Sequence, residues 1–192
     1  MTETTSNNHK RQLYVLMGFP LLIVLLSTVV FFTGWGLPEG TSNKGTLINP
    51  PRLLGDYGIA FTALESPVDK PVWTLLQIAA NGCDAACDET LVYARQMRTS
   101  LGRRTPGLSR MLWSPNAADE QIRLTSEHED LRVEDLPANA QLDALFADLE
   151  QRDQHQFYLI DPRGFVMMYY TPAQSYKEII RDLKFLLTQS GY

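Results

Sequence analysis

Twenty consecutive residues without a charge, LYVLMGFPLLIVLLSTVVFF at 13–32, constrain this chain more than any other feature. A helix of that length covers the ~30 Å hydrocarbon core of a bilayer. Gly18 and Pro20 lie inside the run, and membrane helices tolerate both. The alternative is a cleaved signal peptide, whose apolar core spans roughly 7–15 residues and ends at a small-residue site. This run is longer, and the following STVVFFTGWG holds no A-x-A pattern, so an uncleaved anchor is expected. Lys10 and Arg11 precede the run, with only Glu3 as a nearby acid. That bias keeps the N-terminus cytoplasmic and exports the rest, with Trp35 marking the outer interface. In a bacterium the exported part would occupy the periplasm.

Residues 36–52, GLPEGTSNKGTLINPPR, concentrate turn chemistry in Pro38, Pro50, Pro51, Gly40 and Gly45. They read as an extended linker. The expected division is a tail at 1–12, an anchor at 13–33, a linker at 34–54 and one domain over 55–192. A domain of that size supports a proper core. No internal repeat is present, the net charge of −5 is mild, and Arg103–Arg104 is the only basic pair beyond the anchor. Nucleic-acid binding is not indicated.

Within the domain, PVWTLLQIAA at 71–80 is an apolar run bounded by Pro71 and Asn81–Gly82, the length of a buried strand. A helix opening near Asp84 follows, with Leu91, Ala94, Met97 and Leu101 at helical spacing and Gly102 as its stop. GLSRMLWS at 107–114 reads as the next strand, completing a right-handed βαβ unit. NAQLDALFADLE at 139–150 is an amphipathic helix facing inward with Leu142, Leu145, Phe146 and Leu149. HQFYLI at 155–160 and FVMMYY at 165–170 form a hairpin about the DPRG turn. SYKEIIRDLKFLLTQ at 175–189 is the closing helix, buried through Ile179, Leu183, Leu186 and Leu187. A first strand is expected within 56–64 and a short one at QIRLTSE, 121–127. This order is that of an α/β, thioredoxin-like fold: a central mixed sheet flanked by helices, behind an N-terminal transmembrane helix.

The chain's only two cysteines, Cys83 and Cys87, stand in NGCDAACDET at the junction of the first inner strand and its helix. A disulfide between them would close a loop of about five residues, worth roughly 2 kcal/mol as a staple against ~4.7 for a long loop. Asp84, Asp88 and Glu89 around them are not the surroundings of two inert core cysteines. Unpaired N–H groups and the dipole at a helix start favour a thiolate, and i, i+4 spacing puts both sulfurs on one face. Such a pair can form a reversible disulfide or hold a soft ion, copper(I) above all. The adjacent carboxylates disfavour a thiolate, so a slower nucleophile than a thioredoxin-type cysteine is expected.

These features together resemble the Sco/SenC family of membrane-anchored, thioredoxin-fold proteins that serve copper insertion into cytochrome c oxidase. The resemblance rests on the anchor, on CDAAC as a C-x-x-x-C pair, and on FYLIDPRGFVMMYY before a C-terminal helix, covering roughly 71–192. It implies a Cu(I) carrier or a thiol reductant of a copper site, with cytochrome c oxidase subunits or other assembly factors as partners. It also implies a histidine ligand beside Cys83 and Cys87. The family's proline after the second cysteine is replaced by Asp88, and the family's histidine position falls on Asp153. His155 stands two residues later, on the same strand face but displaced by roughly 6–7 Å. A general extracytoplasmic thiol–disulfide oxidoreductase and a non-enzymatic thioredoxin-fold scaffold are the rival readings. Of the other candidates, His128 sits in an acidic stretch and reads as solvated, and His9 is on the tail. Met167 and Met168 alternate faces of a strand, and Trp73 and Trp113 read as core.

Overall fold

The computed structural model describes residues 3–33, 43–62, 70–147, 149 and 155–192. The chain divides into two compact units, 1–42 and 43–192. In the first, α1 spans Glu3–Thr33, and its stretch Arg11–Thr33 is long and apolar enough to cross a membrane. Trp35 lies outside the described residues.

The second unit runs β1 (Thr46–Leu53), β2 (Trp73–Ile78), α2 (Ala85–Thr99), β3 (Leu108–Ser114), α3 (Ala117–Leu124), β4 (Leu131–Asp135), α4 (Asn139–Leu145), β5 (Phe157–Ile160), β6 (Phe165–Tyr170) and α5 (Tyr176–Gln189). Among the described residues these strands form one sheet in the order β1-β6-β5-β2-β3-β4. β2, β3 and β4 are parallel, while β5, β6 and β1 are added antiparallel. The architecture is the mixed, helix-flanked sheet of the thioredoxin-like class.

Alternation along the strands divides the core between the two faces. Leu76, Ile78, Trp113, Tyr158 and Val166 pack with Leu142, Leu145 and Phe146 on one side. Leu75, Leu108, Phe157, Leu159 and Met168 pack on the other with Met97 and Leu101 beside α2, and with Ile179, Leu183 and Leu187 of α5. A third cluster closes the end of the sheet where α2 begins, joining Ala79, Cys87, Leu91, Leu112, Leu124 and Leu131. The expected inward faces of α2 and α5 are therefore observed, except that Leu186 is only partly buried. Ser175 and Glu178 cap the start of α5 as a reciprocal box. Gly164, at φ 92°, provides the left-handed residue that the β5–β6 turn requires.

Four expectations are corrected. The segment 34–54 is not all linker: residues 34–42 lie outside the described residues, but 46–53 form β1 against β6. Pro50 and Pro51 are compatible with this because β1 is an edge strand with a register break between Leu47 and Arg52, where missing donors cost nothing. The strand expected at 56–64 is instead a 3-10 turn at Leu54–Tyr57 followed by irregular chain to 62; residues 63 and 64 lie outside the described residues. The stretch 121–127 is the end of α3 and a turn rather than a strand. α4 stops at Leu145, so Leu149 packs only partly. The outer strand β4 comes from LRVED, whose three charges concealed it.

Gln121 explains how that charged edge is kept closed. Its side-chain amide donates to Leu131 O at 3.3 Å and accepts from Val133 N at 2.8 Å. Those are the two groups that a further parallel strand would engage, so the side chain substitutes for a neighbour at an otherwise exposed edge.

Candidate functional site

Cys83 and Cys87 form a disulfide with Cα atoms 5.1 Å apart, within the range such bonds require. The helix does not contain both. Asp84 is the N-cap of α2, its carboxylate accepting from Ala86 N at 3.1 Å and Cys87 N at 3.0 Å. Cys83 therefore precedes the helix, and Cys87 lies in its first turn. The expectation of two sulfurs on one helical face gives way to a bridge across the helix start.

The two sulfurs differ in access. Cys87 is 0 % exposed, enclosed by Ala79, Leu91 and Leu112, whereas Cys83 is half-buried at the edge of that cluster. Gln77 Nε2, from β2, lies 3.4 Å from both Cys87 O and Cys87 Sγ and donates to that end of the pair. Asp88 Oδ1 lies 3.5 Å from Cys83 Sγ. Cys83 N donates to Glu120 Oε1 of α3 at 2.8 Å. Cys83 is thus the accessible sulfur of the bridge and Cys87 the enclosed one.

A loop of five residues closed by this bond stabilises by about 2 kcal/mol. Reduction is expected to lower unfolding stability by no more than that and to leave the domain folded. Urea unfolding with and without reductant checks this; loss of cooperative unfolding in reductant would make the bond a structural staple.

His155 is not a strand residue. It sits in the turn before β5, with Nδ1 2.9 Å from Thr90 Oγ1, one turn beyond Cys87 on α2. Thr90 Oγ1 donates its one hydrogen to Ala86 O at 2.9 Å, so it accepts from His155 Nδ1–H. The lone pair of the neutral ring is then on Nε2. His155 thus contacts α2 through Thr90. Among the described residues no group of three or more His, Cys, Asp or Glu is assembled to hold a metal ion. The structure joins the two cysteines and does not join His155 to them. Asp153 lies outside the described residues.

The model of the family described as transmembrane-like, thioredoxin-like, C-terminal domain matches residues 73–190. The chain belongs to this family. The match runs from the first residue of β2 to the turn after α5, and so includes the disulfide, α3 and the hairpin. No curated protein matches the sequence. Among solved structures, BsSco, a Sco-family cytochrome c oxidase assembly protein with a disulfide switch, is 12% identical at a TM-score of 0.45, covering 79% of this chain and 99% of its own. A copper-bound ScoI protein of Arabidopsis thaliana is 13% identical at a TM-score of 0.45, covering 62% of this chain and 85% of its own.

 A thiol:disulfide interchange protein from Bacteroides sp. is 11% identical at 0.42, covering 75% and 90%. Likeness at this level carries no information on activity.

Sequence reasoning missed two features of this thioredoxin-like, transmembrane-like family member. One is Arg123 of α3, whose Nη1 meets Asp88 Oδ2 at 2.9 Å and whose Nη2 meets Glu120 Oε2 at 2.8 Å and Cys83 O at 3.3 Å. The two carboxylates beside it raise the Arg123 pKa further above its usual value, through their hydrogen bonds first. With 121–127 read as a strand, nothing in the sequence aimed Arg123 at the cysteines. The other is His128, which is not solvated but 1 % exposed. Its Nδ1 lies 3.4 Å from Arg110 Nη1, and burial, then Arg110 and Arg95, lower its pKa. A groove of about 780 Å³ lies away from the disulfide, between the chain at 58–62, α3 and the end of β4.

Proposed function

We propose that this chain is a membrane-anchored thiol protein of the Sco type. Its N-terminal tail is cytoplasmic, its thioredoxin-like domain extracytoplasmic, and its Cys83–Cys87 pair alternates between disulfide and dithiol. In the reduced state the pair takes Cu(I) as cargo for a cytochrome c oxidase copper site, or reduces that site. The observation that carries the reading is the disulfide itself: a short bridge at a helix start, one sulfur enclosed and one accessible. Such a bond adds little stability for its position and is arranged for exchange. The resemblance of CDAAC and FYLIDPRG to the Sco pattern supports the copper and oxidase part.

The residues fit Cu(I) in part. Two thiolates suit the ion, and imidazole also suits copper, with His155 held so that its lone pair is on Nε2. The oxidised pair offers no thiolate, so binding requires prior reduction and approach of His155. Titration of the reduced protein with Cu(I) against a competing chelator tests this. Cys83→Ser or Cys87→Ser is expected to abolish tight binding, and His155→Ala to weaken it while leaving disulfide formation intact. If wild type binds no better than the double cysteine variant, the carrier reading fails. A thiol-reductant role then remains.

A further inference from the structure

The guanidinium of Arg123 connects three things at the accessible sulfur. It pairs with Asp88, whose other oxygen is 3.5 Å from Cys83 Sγ; it pairs with Glu120, which accepts from Cys83 N; and it donates to Cys83 O. Asp84 adds a third carboxylate at the same helix start. Without Arg123, an approaching thiolate would meet Asp84, Asp88 and Glu120 uncompensated. Arg123 and Asp88 are both substantially solvent-exposed, while Glu120 is nearly enclosed, so the cation is presented on the surface that a partner would approach.

We infer that Arg123 is a positioning residue that sets the charge of the thiols able to reduce this disulfide, admitting anionic thiols that the surrounding carboxylates would otherwise repel. The inference rests on the redox reading of the cysteine pair. The reaction is ordinary exchange. A thiolate attacks Cys83 Sγ, the Sγ–Sγ bond breaks, and its electron pair leaves on Cys87 Sγ, which takes a proton from solvent. A second thiolate then attacks the reagent sulfur of the mixed disulfide, releasing Cys83 as thiolate and the reagent as its own disulfide. Two reagent thiols supply the two electrons.

The charge dependence separates this role from a merely structural one. As thiolates, 2-mercaptoethanesulfonate, 2-mercaptoethanol and cysteamine carry net charges of −2, −1 and 0. Removing one exposed positive charge near the attacked sulfur costs about threefold in rate per unit of negative charge at low salt. For Arg123→Gln in the full chain in detergent, reduction is expected to slow by about ninefold, about threefold and not at all across that series. The differences should shrink as salt is raised. Arg123→Lys should restore the wild-type pattern, and Asp88→Asn should accelerate the sulfonate thiol most. Equal slowing by all three thiols would overturn the inference and leave Arg123 a structural tie. A wild-type disulfide that none of the three reduces would instead overturn the redox reading, and this inference with it.

Discussion

A fragment beginning at residue 55 is expected to be unfolded or severely destabilised, while one beginning at residue 43 folds. The turn-rich sequence of 34–54 invites a boundary at 55, but the sheet begins inside it. Ile48 is 5 % exposed and Leu54 is 0 % exposed, both packed in the cluster under α4. Burying such a side chain contributes about 1.5–3 kcal/mol, so removing both costs roughly 3–6 kcal/mol. That is a large share of the 5–15 kcal/mol typical of a whole domain. Deletion would also open the edge of β6, which β1 covers, and open edges promote aggregation. Asp182, buried in α5, would lose the backbone donors of Lys44 and Gly45, now at 2.6 and 2.9 Å. Urea unfolding of the two fragments, followed by circular dichroism, measures the difference. Equal midpoints would show that β1 is dispensable and return the boundary to 55.

Asp130→Asn is expected to cost about 2–3 kcal/mol and to change how stability depends on pH. Arg110, 1 % exposed on β3, is held by Asp130 through Nε at 2.9 Å and Nη2 at 2.5 Å, and donates to Leu91 O at 3.1 Å. Removing one partner of a fully buried pair leaves an uncompensated charge and costs ~3–5 kcal/mol; a cost at or just below the low end of that range applies here because Asp130 keeps partial contact with water. Burial alone would raise the Asp130 carboxyl pKa, but the hydrogen bond and charge of Arg110, with Arg98, hold it below the usual value. Its contribution is therefore present above the ordinary aspartate range and lost as pH falls through the depressed value. His128 shifts the same way for another reason, since burial and its cationic neighbours lower its pKa. The unfolded state then binds the proton first, so stability declines as pH falls below about 6.5. Wild type should lose stability in two stages on acidification. His128→Gln should remove the upper stage and Asp130→Asn the lower. A flat profile between pH 7 and 5 in wild type would refute the buried, neutral assignment of His128.

Where the periodicity of one element agrees with its burial, the sequence was sufficient. Leu91, Ala94, Met97 and Leu101 define the inner face of α2 and its continuation, and all are buried. The FVMMYY strand and the DPRG turn occur where their pattern places them, because a two-residue alternation and a glycine at positive φ are local properties. The uncharged run at 13–32 likewise forms a continuous helix, a consequence of composition alone. The pairing of Cys83 with Cys87 was also legible, since four residues of chain cannot take them far apart.

Tertiary structure decided what depends on partners distant in sequence. TLINPPRL became a strand because β6 offered an edge that needs few donors from it, and LRVED became one because β3 paired with it despite its charges. His128, in an acidic stretch that reads as solvated, is enclosed beside Arg110, eighteen residues earlier in the chain. Arg123 reaches the disulfide only because α3 packs across the start of α2, bringing together residues 40 positions apart. Local sequence sets which conformations a segment prefers, but the charge and enclosure of a site are sums over neighbours that only packing assembles.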